Sequence, residues 1–157
     1  MRTSKLLVIA LIWLLLPINA QARTTVDDET PLDIWESAIT WGEYYNICPE
    51  LIIAVCYQES RFKTDAVNDA SGCYGVMQIQ EKSHRARIKR LGVTDLMDVD
   101  QNIHVGADYL HELFEQYEDV GVVLGMYHGE RTAETQLSSY TDAVLKNSER
   151  LERLHEK

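Results

Sequence analysis

From Thr30 onward, amphipathic stretches at helical spacing alternate with short polar punctuation. Thr30-Pro31 opens a helix with proline at the first helical position. Ile34, Trp35, Ala38, Ile39 and Trp41 supply its apolar face, which makes the two tryptophans core residues. Pro49 opens a second helix. Residues 51–56 are apolar nearly all round, which predicts a central helix ending near Glu59-Ser60. Residues 61–75 contain the turn formers Asn68, Asp69, Ser71 and Gly72 and read as a loop. The stretch 75–80 is short and of open type, a hairpin strand being one option. Glu81–Leu91 reads as a basic, exposed helix stopped by Gly92. Asp100 reads as the cap of a long helix in which Ile103, Gly106, Ala107, Leu110, Leu113, Phe114 and Tyr117 recur at three and four spacing. Residues 120–127 form another apolar helical piece, and 129–135 are polar. A last amphipathic helix starts at Ser139 or Thr141 and carries Ala143, Val144, Leu151 and Leu154. The pattern shows neither repeats nor an interdomain linker. It predicts one mainly α domain over residues 31–157, with a short irregular insertion, packed around the second helix.

The 29 residues before this pattern have another character. Arg2 and Lys5 precede an 11-residue apolar run, residues 6–16, which Pro17 ends before the small-x-small triplet Ala20-Gln21-Ala22. A charged start, an apolar middle and a small-residue end are the parts of a secretory signal, cleaved after Ala22, with residues 23–30 as a flexible segment. The alternative is an uncleaved N-terminal membrane anchor, although the run is shorter than the roughly 20 residues a spanning helix needs. Either way the domain is expected outside the cytoplasm.

Composition narrows the partners. Of 157 residues, 45% are hydrophobic and 25% charged, an ordinary balance for a globular domain, and the formal net charge is −10. An acidic chain without a basic stripe has no electrostatic means of gripping nucleic acid, so none is expected. Cys48, Cys56 and Cys73 are too few for a disulfide scaffold. Cys48 and Cys56 are too far apart along one helix to bridge. Cys56 and Cys73 can meet if the intervening loop folds back; three reduced thiols is the simpler expectation. No Cys/His spacing resembles a zinc site.

One residue stands out. Ile52, Val55, Cys56 and Glu59 share a face of the second helix, so Glu59 continues an apolar stripe into the last turn. Burial and the helix dipole both favour the protonated carboxyl there. A carboxylic acid that keeps its proton suits a general acid acting on a leaving oxygen. The plainer alternative is a solvated helix-end glutamate paired with Arg61 or Lys63.

The neighbouring motifs weigh against that alternative. Glu59-Ser60-Arg61-Phe62 is followed by Gly75-Val76-Met77-Gln78, then by Asn102-Ile103 with Tyr109-Leu110, then by Met126-Tyr127-His128. Together they resemble the lytic transglycosylases of the soluble-transglycosylase, goose-lysozyme-like family, with the look of the small secreted or phage-associated forms in Firmicutes. The family pattern is Glu-Ser, Gly-Leu-Met-Gln, Asn-Ile…Tyr-Leu and Ala-Tyr-Asn. The resemblance implies a lysozyme-like α+β fold, a hairpin insertion near the cleft, and peptidoglycan glycan strands as substrate. It implies no cofactor, and a monomer that works with envelope-spanning secretion, conjugation or phage machinery.

Carried over residue by residue, the resemblance makes Glu59 the single catalytic acid and base. Ser60 helps shape the helix end and the cleft, among the substrate-binding residues. Gly75, Met77 and Gln78 line the cleft, with Val76 standing for leucine. Met77 has core filler as its alternative role. Tyr127 places its hydroxyl near the carboxyl. Met126 and His128 depart from Ala and Asn, and Asn68 stands where many relatives carry serine nine residues after the glutamate. The implied reaction cuts the bond between N-acetylmuramic acid and N-acetylglucosamine and closes a 1,6-anhydro ring. A hydrolytic lysozyme and a non-catalytic glycan-binding module are the alternatives. A lysozyme usually needs a second carboxylate, for which Asp65, Asp69, Glu81 and Asp95 are candidates without a motif.

Two further patterns have bland readings. His104, Asp108 and His111 share one helix face, where a solvated polar face is more ordinary than a metal site. His84, Arg85, Arg87, Lys89 and Arg90 form a basic run, with a solvated face more ordinary than contact with anionic wall polymers.

Overall fold

The computed structural model describes residues 30–130 and 138–155. The expected secretory signal, nearly all of the 23–30 segment and most of the polar 129–135 stretch lie outside the described residues. No described helix is long and apolar enough to cross a membrane.

Helix α1 spans Leu32–Tyr45 and α2 spans Pro49–Ser60. Three short strands follow: β1 (Val67–Asn68), β2 (Cys73–Tyr74) and β3 (Ile79–Gln80). Then come α3 (Glu81–Leu91), α4 (Val99–Gln116), α5 (Val120–His128) and α6 (Ser139–His155). The fold is mainly helical, as the hydrophobic pattern predicts, and the insertion holds one small sheet. The strands pair antiparallel in the order β1-β2-β3, with Asn68 opposite Cys73 and Tyr74 opposite Ile79.

Two element boundaries differ from expectation for local reasons. Pro31 sits just outside α1, not at its first helical position. The cap of α4 is Asp98, whose carboxylate accepts from the Gln101 amide, so Asp100 falls inside the first turn. The loop read over 61–75 also contains β1 and β2. Strands of two residues are too short to carry an alternating pattern, and turn formers dominate the stretch.

Helix α2 is the centre. Leu51 through Cys56 are all buried, and α2 packs against both α1 and α6. Helix α4 packs on α1, and α5 lies between α4 and α6. In α6 the buried stripe is Tyr140, Val144, Ser148 and Leu151, while Leu154 is exposed and Ala143 only half-buried.

The sheet is tied to α4 by one side chain. Asn102 is fully buried; its amide nitrogen donates to the Tyr74 carbonyl at 2.9 Å and the Leu96 carbonyl at 2.7 Å. Its amide oxygen accepts from the Met77 backbone N–H at 2.8 Å. Gly75 has φ +72, and a Cβ there would collide with the Asn102 amide and the Leu96 carbonyl oxygen. The close backbone approach that a glycine permits is therefore made to Asn102, while the resemblance placed Gly75 in the cleft lining.

A second knot joins α3, α4 and α1. Asp108 accepts from Arg87 at 2.7 Å, from Arg90 at 2.6 Å and from the Tyr45 hydroxyl at 3.0 Å. Burial pushes the Asp108 carboxyl up, but Arg90, Arg87 and Tyr45 outweigh it and hold it below its usual range. The basic run is thus divided. Arg87 is drawn inward, its side chain 9% exposed, while Arg85 and Lys89 stay in solvent.

Replacing Asn102 with alanine removes three buried hydrogen bonds and leaves their backbone partners unsatisfied. Urea unfolding of Asn102→Ala is expected to show a loss of about 3 kcal/mol, from roughly 1 kcal/mol per bond. A loss below about 1 kcal/mol would mean that water or a shifted backbone replaces the tie.

Candidate active site

Glu59 lies in the last turn of α2, at the edge of a groove of about 630 Å³. The insertion forms one wall through Asn68, Ser71, Cys73, Gln78 and Gln80. Helices α3 and α4 form the far wall through His84, Arg87, Tyr109 and Glu112. The C-terminal end of α5, with Met126, Tyr127 and His128, closes the side beside Glu59.

The backbone turns sharply just after the carboxyl. Arg61 caps α2 in the left-handed region, with φ 55, and Phe62 follows with φ 63. Non-glycine residues rarely adopt this conformation, and two in succession need outside support. Tyr57 supplies it. The Phe62 ring packs 5.2 Å from the Tyr57 ring, and the Arg61 guanidinium lies 4.4 Å above the same ring. The Arg61 N–H donates to the Tyr57 carbonyl at 2.9 Å. Arg61 is thus engaged with Tyr57, and the Glu59 carboxyl has other neighbours.

Those neighbours come from α6 and α5. The Tyr140 hydroxyl donates to Glu59 Oε1 at 2.6 Å. His128 Nδ1 lies 3.9 Å from the same oxygen. The Glu59 side chain is only 15% exposed. Burial raises its pKa above the ordinary glutamate value, while the Tyr140 hydroxyl and His128 act in the opposite direction. Desolvation dominates, so the carboxyl holds its proton more tightly than one in water.

The other residues singled out in the sequence divide into two groups. Asn68, Gln78, Tyr127 and His128 line the groove with Glu59. Ser60, Gly75 and Met77 do not. Ser60 is buried and donates to the Cys56 carbonyl at 3.1 Å, which finishes the helix end. Met77 is fully buried in the hydrophobic core, and its sulfur occupies the space left by the missing side chain of Gly106. It fills the core and offers no wall to a sugar. Gln78 lines the groove, but its amide nitrogen already donates to the carbonyls of Ala66 at 3.2 Å and Gly75 at 3.0 Å. It holds the insertion in shape.

Tyr127 is near Glu59 but does not bond to it. Its hydroxyl donates to the Met77 carbonyl at 3.0 Å. The phenol that touches the carboxyl is Tyr140, which the sequence reading missed. It heads the buried stripe of α6, where its spacing to Val144 marks it only as core. The available signal was its type: a buried tyrosine needs a partner for its hydroxyl.

Of the groove-lining residues, the carboxylates are Glu59 and Glu112. Glu112 is ion-paired with Arg87, which Asp108 also holds. Asp65, Asp69, Glu81 and Asp95 are not among the lining residues. The three cysteines are unpaired thiols, with Cys48 exposed, Cys56 buried and Cys73 at the groove wall. Among the described residues, no group of three or more His, Cys, Asp or Glu side chains is placed to hold a metal ion. Asp108 is committed to its arginines, and His104 stacks flat on Trp41 at 3.5 Å.

This geometry can be set against known proteins. The family model of the transglycosylase SLT domain matches residues 36–147. The chain belongs to the SLT domain family. A transglycosylase of Enterobacteria phage PRD1 is 34% identical over 119 residues, which cover 74% of this chain and 43% of the phage protein. Protein IpgF of Shigella flexneri is 32% identical over 102 residues, covering 61% of this chain and 64% of IpgF. The membrane-bound lytic murein transglycosylase F of Desulfosudis oleivorans is 38% identical over 71 residues, 14% of its length. The chain therefore spans less than two thirds of these relatives. Among solved structures, an inactive mutant of the lytic transglycosylase Slt from Pseudomonas aeruginosa superposes with a TM-score of 0.60 at 20% identity. The overlap covers 82% of this chain and 22% of that one, and it shows the shared fold of an SLT domain.

The raised affinity of Glu59 for its proton has a consequence for stability. Between the ordinary glutamate value and the raised one, the folded state holds more proton than the unfolded state, so stability falls as pH rises. Glu59→Gln removes that dependence. Its urea midpoint relative to wild type is expected to gain more at pH 8 than at pH 4; an equal gain at both would place the carboxyl in free contact with water. Tyr140→Phe removes the donor that favours the ionised form, so a carbon-13 titration of Glu59 in that variant is expected to move to higher pH.

Proposed function

We propose that this SLT domain is a peptidoglycan lytic transglycosylase. It cuts the β-1,4 bond between N-acetylmuramic acid and N-acetylglucosamine and leaves 1,6-anhydromuramyl ends. The observation that carries the reading is a buried carboxyl with raised proton affinity, held by Tyr140 at the edge of an open groove. The names of the phage and Desulfosudis relatives support the same chemistry.

In this reading protonated Glu59 donates to the glycosidic oxygen as the bond to carbon 1 breaks, leaving an oxocarbenium-like centre. The N-acetyl oxygen of the muramyl unit stabilises that centre. Glu59, now ionised, takes the proton from the muramyl 6-hydroxyl, whose oxygen bonds to carbon 1 and closes the anhydro ring. One carboxyl serves as acid and then as base. The nucleophile is already part of the substrate, so its effective concentration is high and no water needs activation. The commitment of Glu112 to Arg87 fits a reaction without a second working carboxylate.

Asn68, Gln78, Tyr127 and His128 contact the glycan along the groove. Ser60, Gly75 and Met77 serve it indirectly by fixing the helix end and the insertion. The reading places the domain outside the cytoplasm, delivered by a signal cleaved after Ala22 or held by residues 6–16 as an anchor. There it acts as a monomer, with envelope-spanning machinery to localise it.

Purified peptidoglycan incubated with the protein is expected to release soluble muropeptides with anhydro ends by mass spectrometry. Glu59→Gln is expected to lower the rate by about 10³-fold, within the usual range for a general acid. Reducing ends would make the enzyme a lysozyme. Retention of the protein on peptidoglycan without release would make it a binding module.

A further inference from the structure

The inference concerns His128, which departs from the family pattern and lies beside the carboxyl. It rests on the reading of Glu59 as the acid. His128 ends α5 at the mouth of the groove, followed by Gly129 in the left-handed region. Its ring lies on the Tyr140 ring, with centroids 3.9 Å apart and planes 12° from parallel. Tyr140 in turn donates to Glu59. One tyrosine therefore fixes both partners: its hydroxyl holds the carboxyl and its face holds the imidazole. The resulting Nδ1 to Oε1 distance of 3.9 Å is an ion-pair distance, too long for a direct hydrogen bond.

We propose that His128 is a positioning residue that sets the charge state of Glu59, pairing as a cation with the carboxylate that forms when the proton leaves. Asparagine, the family residue at this place, can hydrogen-bond but cannot carry charge. Imidazole can. Groups from three elements surround the pair. From α2 come Glu59 and the buried Cys56 thiol. From α5 comes Tyr127, whose hydroxyl burial keeps protonated. From α6 comes Tyr140, which burial and Glu59 keep protonated, and Glu130 beyond α5 acts on it in the same direction. The thiol and both phenols are neutral at physiological pH, so the carboxyls Glu59, at 3.9 Å, and Glu130 are the charges among these groups.

The consequence for the reaction has a definite sign. An imidazolium 3.9 Å away stabilises the carboxylate, which eases proton donation to the leaving oxygen and keeps the base ready for the 6-hydroxyl. It also makes Glu59 lose its proton at lower pH, so the acid is exhausted earlier as pH rises. His128 thereby places the alkaline limb of the activity profile below that of a domain with an uncharged residue here. The His128 side chain is 47% exposed, so added salt weakens the pairing.

Two variants of opposite sign test this. In His128→Asn the alkaline limb of kcat on peptidoglycan is expected to move to higher pH, raising the variant's rate relative to wild type by about threefold across that limb. In His128→Lys a cation persists to high pH, and the limb is expected to move down. Carbon-13 titration of the Glu59 carboxyl in the same proteins reads the pairing without substrate, with the midpoint up in His128→Asn and down in His128→Lys. A role in packing or substrate contact alone would lower kcat or raise KM in both variants without opposite shifts. Shifts in the same direction, or none, overturn the proposal. If the wild type releases no anhydro ends, the function fails, while the carboxyl titration still decides the role of His128.

Discussion

The structure turns on the placement of one carboxyl where water is scarce and a phenol is waiting. Glu59 arrives there because residues 51–56 of α2 are apolar nearly all round and must be surrounded by other helices. Its last turn emerges from that packing at a groove, and the carboxyl is carried to the boundary between core and cleft. Taking a carboxylate out of water costs free energy, which the protein lowers by keeping the proton on and by supplying Tyr140 as a donor when the proton leaves. The two effects oppose each other. Their balance leaves an acid able both to give a proton and to take one back.

Much of the remaining architecture holds this arrangement rigid. Asn102 fastens the insertion to α4 with three hydrogen bonds, and the Gly75 backbone fits against the Asn102 side chain. The Tyr127 hydroxyl ties α5 to the Met77 carbonyl, joining the insertion to the helix that carries His128. On the far wall, Asp108 gathers Arg87 and Arg90, and Arg87 reaches on to Glu112. Burial and the neighbouring Arg87 hold the His84 pKa down to about 4, so that ring stays neutral at physiological pH. The groove is thus built between fixed walls, which suits the proposed reaction, since that depends on the orientation of a hydroxyl within the substrate.

The sequence showed the helices because long amphipathic segments print a strong period. Helix α3 has the bounds expected from its basic run and Gly92. The face that carries Glu59 was legible for the same reason. The strands were not, since two residues cannot show alternation, and their pairing depends on Asn102, which lies 28 residues from Tyr74. Met77 and Gly75 were assigned to the cleft by motif, but a motif does not say which side of the backbone faces the ligand. Tyr140 was invisible as a site residue because its contact with Glu59 spans 81 positions, and its local pattern is that of a core aromatic. His128 was marked as a departure from the family, but its stacking on Tyr140 arises only when α5 and α6 meet.

The central claim is that the Glu59 carboxyl holds its proton more tightly than a glutamate in water. Carbon-13 NMR of the wild-type chain, with the Glu59 resonance identified by its loss in Glu59→Gln, measures this directly across pH. The account predicts a midpoint above the ordinary glutamate range. A midpoint within or below that range would contradict it.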